Sequence, residues 1–211
     1  MLEIRLSNAG KRFQYEWIFR NLNLQVKEFS KTAITGSNGS GKSTFLKCLA
    51  GAIPLTDGSI KYLSDNQPLP ESDIYKSLAI SAPYMELPEE FTLRELLQFH
   101  FRFKSGISGM GIQDMVKTMY LTDSINKQVS YFSSGMKQRL KLGLCFFSDV
   151  PVLVLDEPTS NLDAHGVSWY HGLVEEFGKD RTIFVGSNDP KEYSFCTDEL
   201  NIEDYKLKPA L

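Results

Sequence analysis

Residues 36–44 read GSNGSGKST, which matches the spacing G-x-x-x-x-G-K-[ST]. A β-branched run precedes them and a helix-like segment follows, which is the strand–loop–helix setting that this motif needs. Glycines let backbone N–H groups turn toward phosphate oxygens, and the N-terminus of the following helix favours negative charge. The pattern therefore predicts a phosphate-binding loop (P-loop), although a glycine-rich turn that binds nothing is the simpler alternative.

The predicted nucleotide-binding residues of this loop are Gly36, Ser37, Asn38, Gly39, Ser40, Gly41, Lys42, Ser43 and Thr44. Within the loop, Lys42 is expected to reach the β- and γ-phosphates, and the Ser43 hydroxyl is expected to ligate Mg²⁺.

Two adjacent acids, Asp156 and Glu157, end the apolar run PVLVL. Burying carboxylates without partners is costly, so packing alone explains them poorly. Beside a P-loop, Asp156 would hold Mg²⁺ directly or through water, and Glu157 would polarise the water that attacks the γ-phosphate. The alternative is a strand end whose two acids simply face solvent.

A turn rich in serine and glycine, in YFSSGMKQR, opens an amphipathic helix upstream of these acids. By itself it would be only a capped helix start. Together with the P-loop before it and VLVLDEPTSNLD after it, the turn makes the chain resemble the ATP-binding cassette (ABC) family of ATPases over residues 2–188. The family signature L-S-G-G-Q is matched by FSSGM, which keeps two of the five positions.

The resemblance implies that the signature serves a second subunit. It would close on the γ-phosphate held by that subunit's P-loop, so that a head-to-tail dimer encloses two ATP molecules. The signature residues here are Ser133, Ser134, Gly135 and Met136. Asp163 resembles the D-loop aspartate that crosses the same interface, and it is equally compatible with an N-cap of the following helix.

Family members also place an aromatic residue that stacks on adenine upstream of the P-loop. The segment KRFQYEWIF offers Phe13 first and Tyr15 second. Either residue is equally compatible with an ordinary aromatic residue of an edge strand.

Two positions depart from the family pattern. Tyr84 stands where the family has a Gln that touches Mg²⁺ and water, and a tyrosine hydroxyl is a poor neutral ligand for Mg²⁺. Glu86 is a substitute candidate for that ligand. Asn188 stands where the family has a His that contacts the γ-phosphate, and asparagine donates one N–H without a positive charge. We therefore predict slow but real hydrolysis, with a simple turn as the alternative for residues 187–189.

The elements that must position these residues follow from hydrophobic patterns. LEIRL, LNLQV and TAITG read as strands, and KSTFLKCLAGA reads as a helix that ends at Gly51. Thr92 and Glu95 predict a capping box for a helix over TLRELLQFHFRF. Residues 69–90 read as loop-rich, and the segments that follow residue 133 predict helix, strand, helix and strand in turn.

We therefore predict an α/β protein with a P-loop NTPase core, in which helices flank a mixed sheet. An antiparallel β subdomain is expected at the N-terminus, and a helical subdomain is expected between the P-loop and the Asp156-Glu157 strand. Residues 1–211 are predicted to form a single ABC ATPase domain, with the helical insertion at approximately 85–134.

Composition narrows the function classes. A net charge of −3 and a pI near 5.7 argue against nucleic acid as a partner. Cys48, Cys145 and Cys196 are far apart in the sequence and fit reduced core thiols. The longest apolar stretch, near residues 142–155, is interrupted by Asp149 and Pro151 and is too short to span a bilayer.

The resemblance implies a subunit that binds and hydrolyses ATP with Mg²⁺ and powers an ABC transporter through ATP-driven dimer closure. Its partners would be a second copy or a related cassette, and a separate transmembrane permease of an exporter type. It would be cytoplasmic and peripheral at the inner face of the cell membrane. The alternative is a soluble ABC ATPase that moves no solute, such as an iron–sulfur assembly factor. A P-loop kinase fits poorly because it needs neither the FSSGM turn nor the Glu157 base.

Overall fold

The computed structural model of this chain describes residues 2–206. The strands are β1 (Leu2–Phe13), β2 (Glu16–Val26), β3 (Lys31–Thr35), β4 (Asp57–Ser64), β5 (Gln67–Pro68), β6 (Leu78–Ser81), β7 (Val152–Asp156), β8 (Thr182–Gly186) and β9 (Asp198–Asn201). The helices are α1 (Lys42–Leu49), α2 (Ile74–Ser77), α3 (Leu93–Phe103), α4 (Ile112–Thr118), α5 (Ser134–Phe146) and α6 (Ala164–Phe177).

The strands form two separate sheets. One has the order β2-β1-β4-β5 and is antiparallel throughout. The other has the order β6-β7-β8-β3-β9, and all its neighbouring strands run parallel. The predicted fold class is thus confirmed: an α/β core carries an N-terminal antiparallel sheet. The core sheet is parallel and not mixed as predicted, because the antiparallel strands pair only with one another in the separate sheet.

The parallel sheet is covered on both faces, which explains its continuous apolar runs. In β7, Leu153 and Leu155 point into the core formed with α5 and α6, whereas Val152 and Val154 point into the core formed with α1 and the antiparallel sheet. Side chains alternate across a strand, so a strand with two buried faces needs apolar residues at every position. The run VLVL therefore ends only where the sheet itself ends, at Asp156.

The helical segment between β6 and β7 begins as the sequence predicts. Thr92 caps α3: its hydroxyl accepts from the backbone N–H of Glu95, and the Glu95 carboxylate accepts from the backbone N–H of Thr92. α4 follows after a glycine-containing loop, and α5 begins directly after its cap residue Ser133. The boundaries of a helical subdomain at 85–134 stay a prediction.

The prediction of a loop-rich stretch at residues 69–90 is wrong in part. The short helix α2 and the strand β6 lie within it, and β6 pairs with β7 from Leu78 opposite Val152 to Ser81 opposite Leu155. Four residues are too few for hydrophobic periodicity to predict a strand, and these four form a strand because β7 pairs with them.

The three cysteines are free; Cys48 and Cys145 are buried and Cys196 is half-buried, in keeping with core thiols. Burial raises the pKa of Cys48 to about 11. No helix within residues 2–206 combines the length and the apolarity that crossing a membrane requires.

Candidate functional site

The P-loop runs from the end of β3 to the first turn of α1. Gly41, immediately before α1, has φ 112°, a conformation that L side chains rarely adopt. A Cβ added there would also collide with the Ile18 side chain of β2, so the antiparallel sheet packs directly on the loop. Lys42 is only 5% exposed, and its ammonium donates to the carbonyls of Gly36 (2.8 Å) and Ser37 (3.1 Å). The lysine is thus held inside the loop that the motif predicts.

Asp156 ends β7 at the same edge of the sheet. Its side chain is 1% exposed, and neither carboxylate oxygen makes a hydrogen bond of sound geometry within residues 2–206. Burial raises the pKa of Asp156 to about 6, and the charge of Glu157 acts in the same direction, whereas the nearby Ser43 hydroxyl lowers it. A buried carboxylate with both oxygens free is a strong candidate for a cation ligand.

Glu157 follows in a left-handed conformation, with φ 43°. Its backbone N–H donates to the carbonyl of Gly186 at 2.9 Å, and its side chain is exposed. A non-glycine residue in this conformation is strained, and such strain gathers where a side chain must be aimed. The two acids therefore have opposite surroundings: Asp156 faces inward and Glu157 faces solvent at the sheet edge.

Asn188 follows the end of β8, which lies between β7 and β3 in the sheet. Its amide Nδ2 donates to Oδ1 of Asn38 in the P-loop at 3.0 Å. The neighbouring Ser187 is buried, and its Oγ accepts from the backbone N–H of Asp189, as in a turn. Both parts of the sequence expectation are compatible with this geometry: residues 187 and 189 make a turn, and Asn188 touches the P-loop.

Gly186, which the sequence patterns do not single out, makes this convergence possible. A Cβ added there would lie 2.6 Å from Cδ1 of Leu46 and 2.9 Å from Oδ1 of Asp156. Real side chains do not approach so closely, so only glycine lets α1 and Asp156 pack against the end of β8. In the sequence, the only indication of this close packing is that a glycine ends the apolar strand β8.

Comparison with known proteins shows the family of this chain. The family model described as ABC transporter matches residues 19–160, which is more than half of the chain.

The chain belongs to the ABC transporter family.

Two relatives show how far the resemblance to other ABC transporter proteins extends. An uncharacterized ABC transporter ATP-binding protein of Bacillus subtilis, YybJ, is 29% identical over 209 residues, which cover 98% of this chain and 95% of that protein. The bacitracin transport ATP-binding protein BcrA of Bacillus licheniformis is 27% identical over 201 residues, which cover 94% of this chain and 66% of that protein.

A solved structure extends the comparison to the fold. The dimeric, post-hydrolysis state of an ATP-binding cassette bound to ADP and Pi superposes with a TM-score of 0.80 at 21% identity, and the match covers 97% of this chain and 96% of that one. At this identity the likeness shows a shared fold.

Within this ABC cassette, the predicted signature turn lies at the start of α5. Ser133 is the N-cap, and its Oγ accepts from the backbone N–H of Met136 at 3.3 Å. A Cβ added at Gly135 would lie 3.1 Å from the carbonyl oxygen of Asn161, so the turn packs against the predicted D-loop. Ser133 and Ser134 are exposed, which leaves both side chains accessible to another molecule.

The predicted D-loop residue Asp163 serves its own helix. It is the N-cap of α6, and its Oδ1 accepts from the backbone N–H of Gly166 at 2.7 Å. The N-cap alternative from the sequence is therefore present, and a role across a dimer interface stays a prediction.

The aromatic candidates for adenine lie at the hairpin between β1 and β2. Phe13 is 49% exposed, and the ammonium of Lys11 lies 5.0 Å from its ring centroid. Tyr15 is 96% exposed at the tip of the hairpin. Ile18 of the same hairpin contacts the P-loop at Gly41, and the stacking of Phe13 on adenine stays a prediction.

Tyr84 lies just beyond the end of β6, the strand next to β7. Burial raises its pKa, and the charge of Asp156 acts in the same direction, which places the tyrosine near the buried carboxylate. Glu86 instead lines a groove between β6 and α3 and lies near Lys141. The Lys141 ammonium donates to the carbonyls of Ala82 (3.3 Å) and Pro83 (3.1 Å), so α5 holds the segment that carries Tyr84.

The residues fit a magnesium ion that also binds a nucleotide. Within the described part of the chain, no group of three or more His, Cys, Asp or Glu forms a metal site by itself. Mg²⁺ in such sites commonly takes one or two protein ligands and completes its shell with phosphates and water. The Asp156 oxygens, which have no hydrogen-bond partner in the part of the chain that the structure describes, are suited to that arrangement, with Ser43 close by.

Proposed function

We propose that this chain binds ATP with Mg²⁺, hydrolyses it, and thereby powers transport through a separate membrane protein. The observation that carries the proposal is the convergence of three groups at one sheet edge. They are the P-loop lysine Lys42, the buried Asp156, which has no hydrogen-bond partner within residues 2–206, and the exposed Glu157. Relatives named as transport ATP-binding proteins favour a transporter over the soluble alternative.

Each group has a separate task in this proposal. Backbone N–H groups of the P-loop and the Lys42 ammonium bind the phosphates, and Ser43 and Asp156 would hold Mg²⁺, which would neutralise charge on the β- and γ-phosphates. Glu157 accepts a proton from the water that attacks the γ-phosphorus, while the bond to the ADP oxygen breaks and ADP leaves. Asn188, already against the P-loop, donates an N–H to a γ-phosphate oxygen.

Phosphate release by the purified chain tests the enzymatic part. Replacing the base with Glu157→Gln keeps the size of the side chain and removes its basicity, so we expect the rate to fall by about 10²–10⁴-fold. Glu176→Gln, the same change on the distant helix α6, is the matched control and should leave the rate unchanged. A wild type no faster than Glu157→Gln would overturn hydrolysis as the function.

The groove beside α3 is the proposed docking surface for the membrane partner. It has a volume of about 390 Å³ and is lined mostly by apolar side chains, among them Met85, Phe99 and Phe103. Phe99 and Phe103 are 44% and 65% exposed and their ring centroids lie 5.1 Å apart, so together they form an exposed apolar patch, a feature that marks interaction sites. We infer that an apolar cytoplasmic helix of a permease occupies this groove, which would bring the chain to the inner face of the cell membrane.

Co-purification from detergent-solubilised membranes tests the partner. The wild type should retain a polytopic membrane protein, and the double change Phe99→Asp/Phe103→Asp should lose it while ATP hydrolysis by the isolated chain persists. A wholly soluble partner, retained equally by both proteins, would favour the alternative of an ABC ATPase that moves no solute.

A further inference from the structure

A lysine–tyrosine pair lies next to the proposed metal site. The ammonium of Lys47, in the last turn of α1, is 3.7 Å from the ring centroid of Tyr84. A cation over the face of an aromatic ring is attracted by the electron-rich face. The pair joins the P-loop helix to the segment that follows β6, two parts of the chain that are distant in sequence.

Lys47 occupies the helix face that carries the proposed metal ligand Ser43. The two residues are four positions apart in α1, so their side chains lie one above the other on one side of the helix. Tyr84 approaches from the other direction, because it follows β6, and β6 pairs with the strand that ends in Asp156. The ammonium is therefore confined to the neighbourhood of Ser43 and Asp156 by both elements.

Lys47 faces the carboxylate of Asp156, near which the Ser43 hydroxyl also lies. Both oxygens of Asp156 are buried without a hydrogen-bond partner among residues 2–206. Lys42 and Lys47 are both close enough for their positive charges to act on Asp156. Lys42 is engaged by two P-loop carbonyls, whereas the Lys47 ammonium is held by a ring, which leaves its charge less satisfied by dipoles.

We propose that the Tyr84 ring holds the Lys47 ammonium beside Asp156, where the lysine offsets the carboxylate charge before Mg²⁺ arrives and so sets how strongly Mg²⁺ tightens nucleotide binding. This inference rests on the proposed function, because it requires the Mg²⁺ site at Ser43 and Asp156. Lys47 and Tyr84 are positioning residues here and ligate nothing. The ring of Tyr84, rather than its hydroxyl, carries the role.

The direction of the effect follows from the charges. A divalent ion between Asp156 and the phosphates is repelled by a nearby ammonium, whereas a nucleotide without metal is attracted by it. Removing the ammonium should therefore weaken binding of metal-free ADP and increase the benefit of Mg²⁺. We define the magnesium factor as the Kd for ADP in EDTA divided by the Kd for ADP in saturating Mg²⁺.

Titration calorimetry with ADP measures this factor without any turnover. We expect Lys47→Met to raise the magnesium factor by about 3- to 10-fold, as the loss of one charge near a partly exposed site predicts. Tyr84→Leu should also raise the magnesium factor, but by less than Lys47→Met does, because the Lys47 ammonium is then free to move away from Asp156. Lys47→Arg keeps the cation and Tyr84→Phe keeps the ring, so both should remain within about twofold of the wild type.

Lys76→Met is the matched control. Lys76 is exposed and lies over the ring of Tyr75 at 5.8 Å, but this pair precedes β6 and is therefore at the opposite edge of the sheet from Tyr84. This variant loses the same charge from a cation–ring pair, together with the ion pair of Lys76 with Asp73 at 2.7 Å, and its magnesium factor should equal that of the wild type. Thermal unfolding of each variant establishes that it is folded.

The outcomes separate this inference from the metal site on which it rests. A wild type in which Mg²⁺ tightens ADP binding, together with an unchanged or lower factor in Lys47→Met, overturns the inference and leaves the metal site intact. A factor in Tyr84→Phe as high as in Tyr84→Leu overturns the role of the ring. A wild type indifferent to Mg²⁺ overturns the metal site and the inference together. If Lys47→Met does not fold, Tyr84→Leu decides by the same criterion.

Discussion

At the scale of single residues, the site is made of groups that would be unfavourable anywhere else in the chain. Asp156 is a buried carboxylate with no hydrogen-bond partner among the described residues, and Glu157 has a left-handed φ of 43°. Each arrangement raises the free energy of the folded chain by an amount on the order of 1–3 kcal/mol. Unfavourable burial and backbone strain are typical of functional sites, and here Asp156 and Glu157 both lie next to the P-loop.

Asn188 offers a test of the γ-phosphate contact. A charged donor in its place should stabilise the transferred phosphate by roughly 1 kcal/mol more than a neutral one, so Asn188→His should raise kcat about fivefold. Asn188→Ala removes the N–H that now reaches Asn38, and its kcat should fall. Steady-state phosphate release measures both. If neither variant changes kcat, residues 187–189 form only a turn.

At the scale of elements, helix ends and the helix–sheet groove carry the local determinants of stability. α3 begins with a complete capping box, and its other end lies in the groove with His100 and Lys104. α5 connects this region to the site, because Gln138 donates through Nε2 to the carbonyl of Pro158 at 2.7 Å. A change at either end of α3 therefore tests packing of the helical region apart from the chemistry.

The capping box of α3 should contribute measurably to stability. Thr92→Ala removes the acceptor for the Glu95 N–H, and we expect the free energy of unfolding to fall by about 1 kcal/mol. Urea unfolding measures the change. In the double variant with Glu95→Ala, the loss should be smaller than the sum of the single losses because the two side chains act on each other. Strict additivity would contradict a reciprocal cap.

His100 makes the stability of this region depend on pH. Burial lowers its pKa to about 4, with Lys104 acting in the same direction, and its Nε2 is 3.0 Å from Oγ of Ser148. In the unfolded chain it takes up a proton near pH 6.5, so the unfolded state binds more protons and stability falls as pH drops from about 6.5 toward 4. Because the ring is only partly buried, we expect a loss of about 1–2 kcal/mol between pH 7 and pH 5.

The matched variant for this effect is His100→Gln, which keeps a hydrogen-bonding side chain and cannot titrate. Urea unfolding at pH 7 and at pH 5 should show a larger decrease in the wild type than in His100→Gln. Equal decreases in the two proteins would show that other groups cause the pH dependence.

At the scale of the whole molecule, the resemblance to ABC ATPases implies that a second copy of the chain covers the exposed signature turn. Ser133 and Ser134 lie at the N-terminus of α5 with their side chains in solvent, although backbone N–H groups at such a terminus favour an anion. The resemblance to ABC ATPases implies that the anion is the γ-phosphate of ATP bound to the partner subunit.

Dimerisation should accordingly depend on ATP and on this turn. In a Glu157→Gln background, where hydrolysis is slow, ATP with Mg²⁺ should convert the monomer into a dimer in light scattering. Adding Ser134→Asp should abolish the dimer by repelling the phosphate while leaving the helix intact, because an acid is favourable in a first helical turn. Ser168→Asp on the exposed face of α6 is the control. A dimer that persists with Ser134→Asp contradicts the proposed interface.

The sequence predicted the loop after β3 and the acidic end of β7 better than it predicted the full set of strands. Two motifs are recognisable in the sequence because their spacing is local: GSNGSGKST and the two acids after VLVL. They form a tight loop, a helix N-terminus and a strand end, each of which involves only neighbouring residues. The sequence does not predict the strand β6, because its four residues form a strand only by pairing with β7. Gly186 and Lys47 also carried no distinctive pattern, since their importance depends on what packs against them.

The sequence by itself determined the P-loop, the acidic pair and the capped helices, because each depends on residues close together in the chain, and the resemblance to a known family supplied the fold class. Only the tertiary structure decided that Asp156 has no hydrogen-bond partner within residues 2–206, that Asn188 touches Asn38, and that Lys47 stacks on Tyr84. These facts arise where parallel strands end at one edge and bring distant segments together. Strand order sets such distances, and local patterns do not encode it.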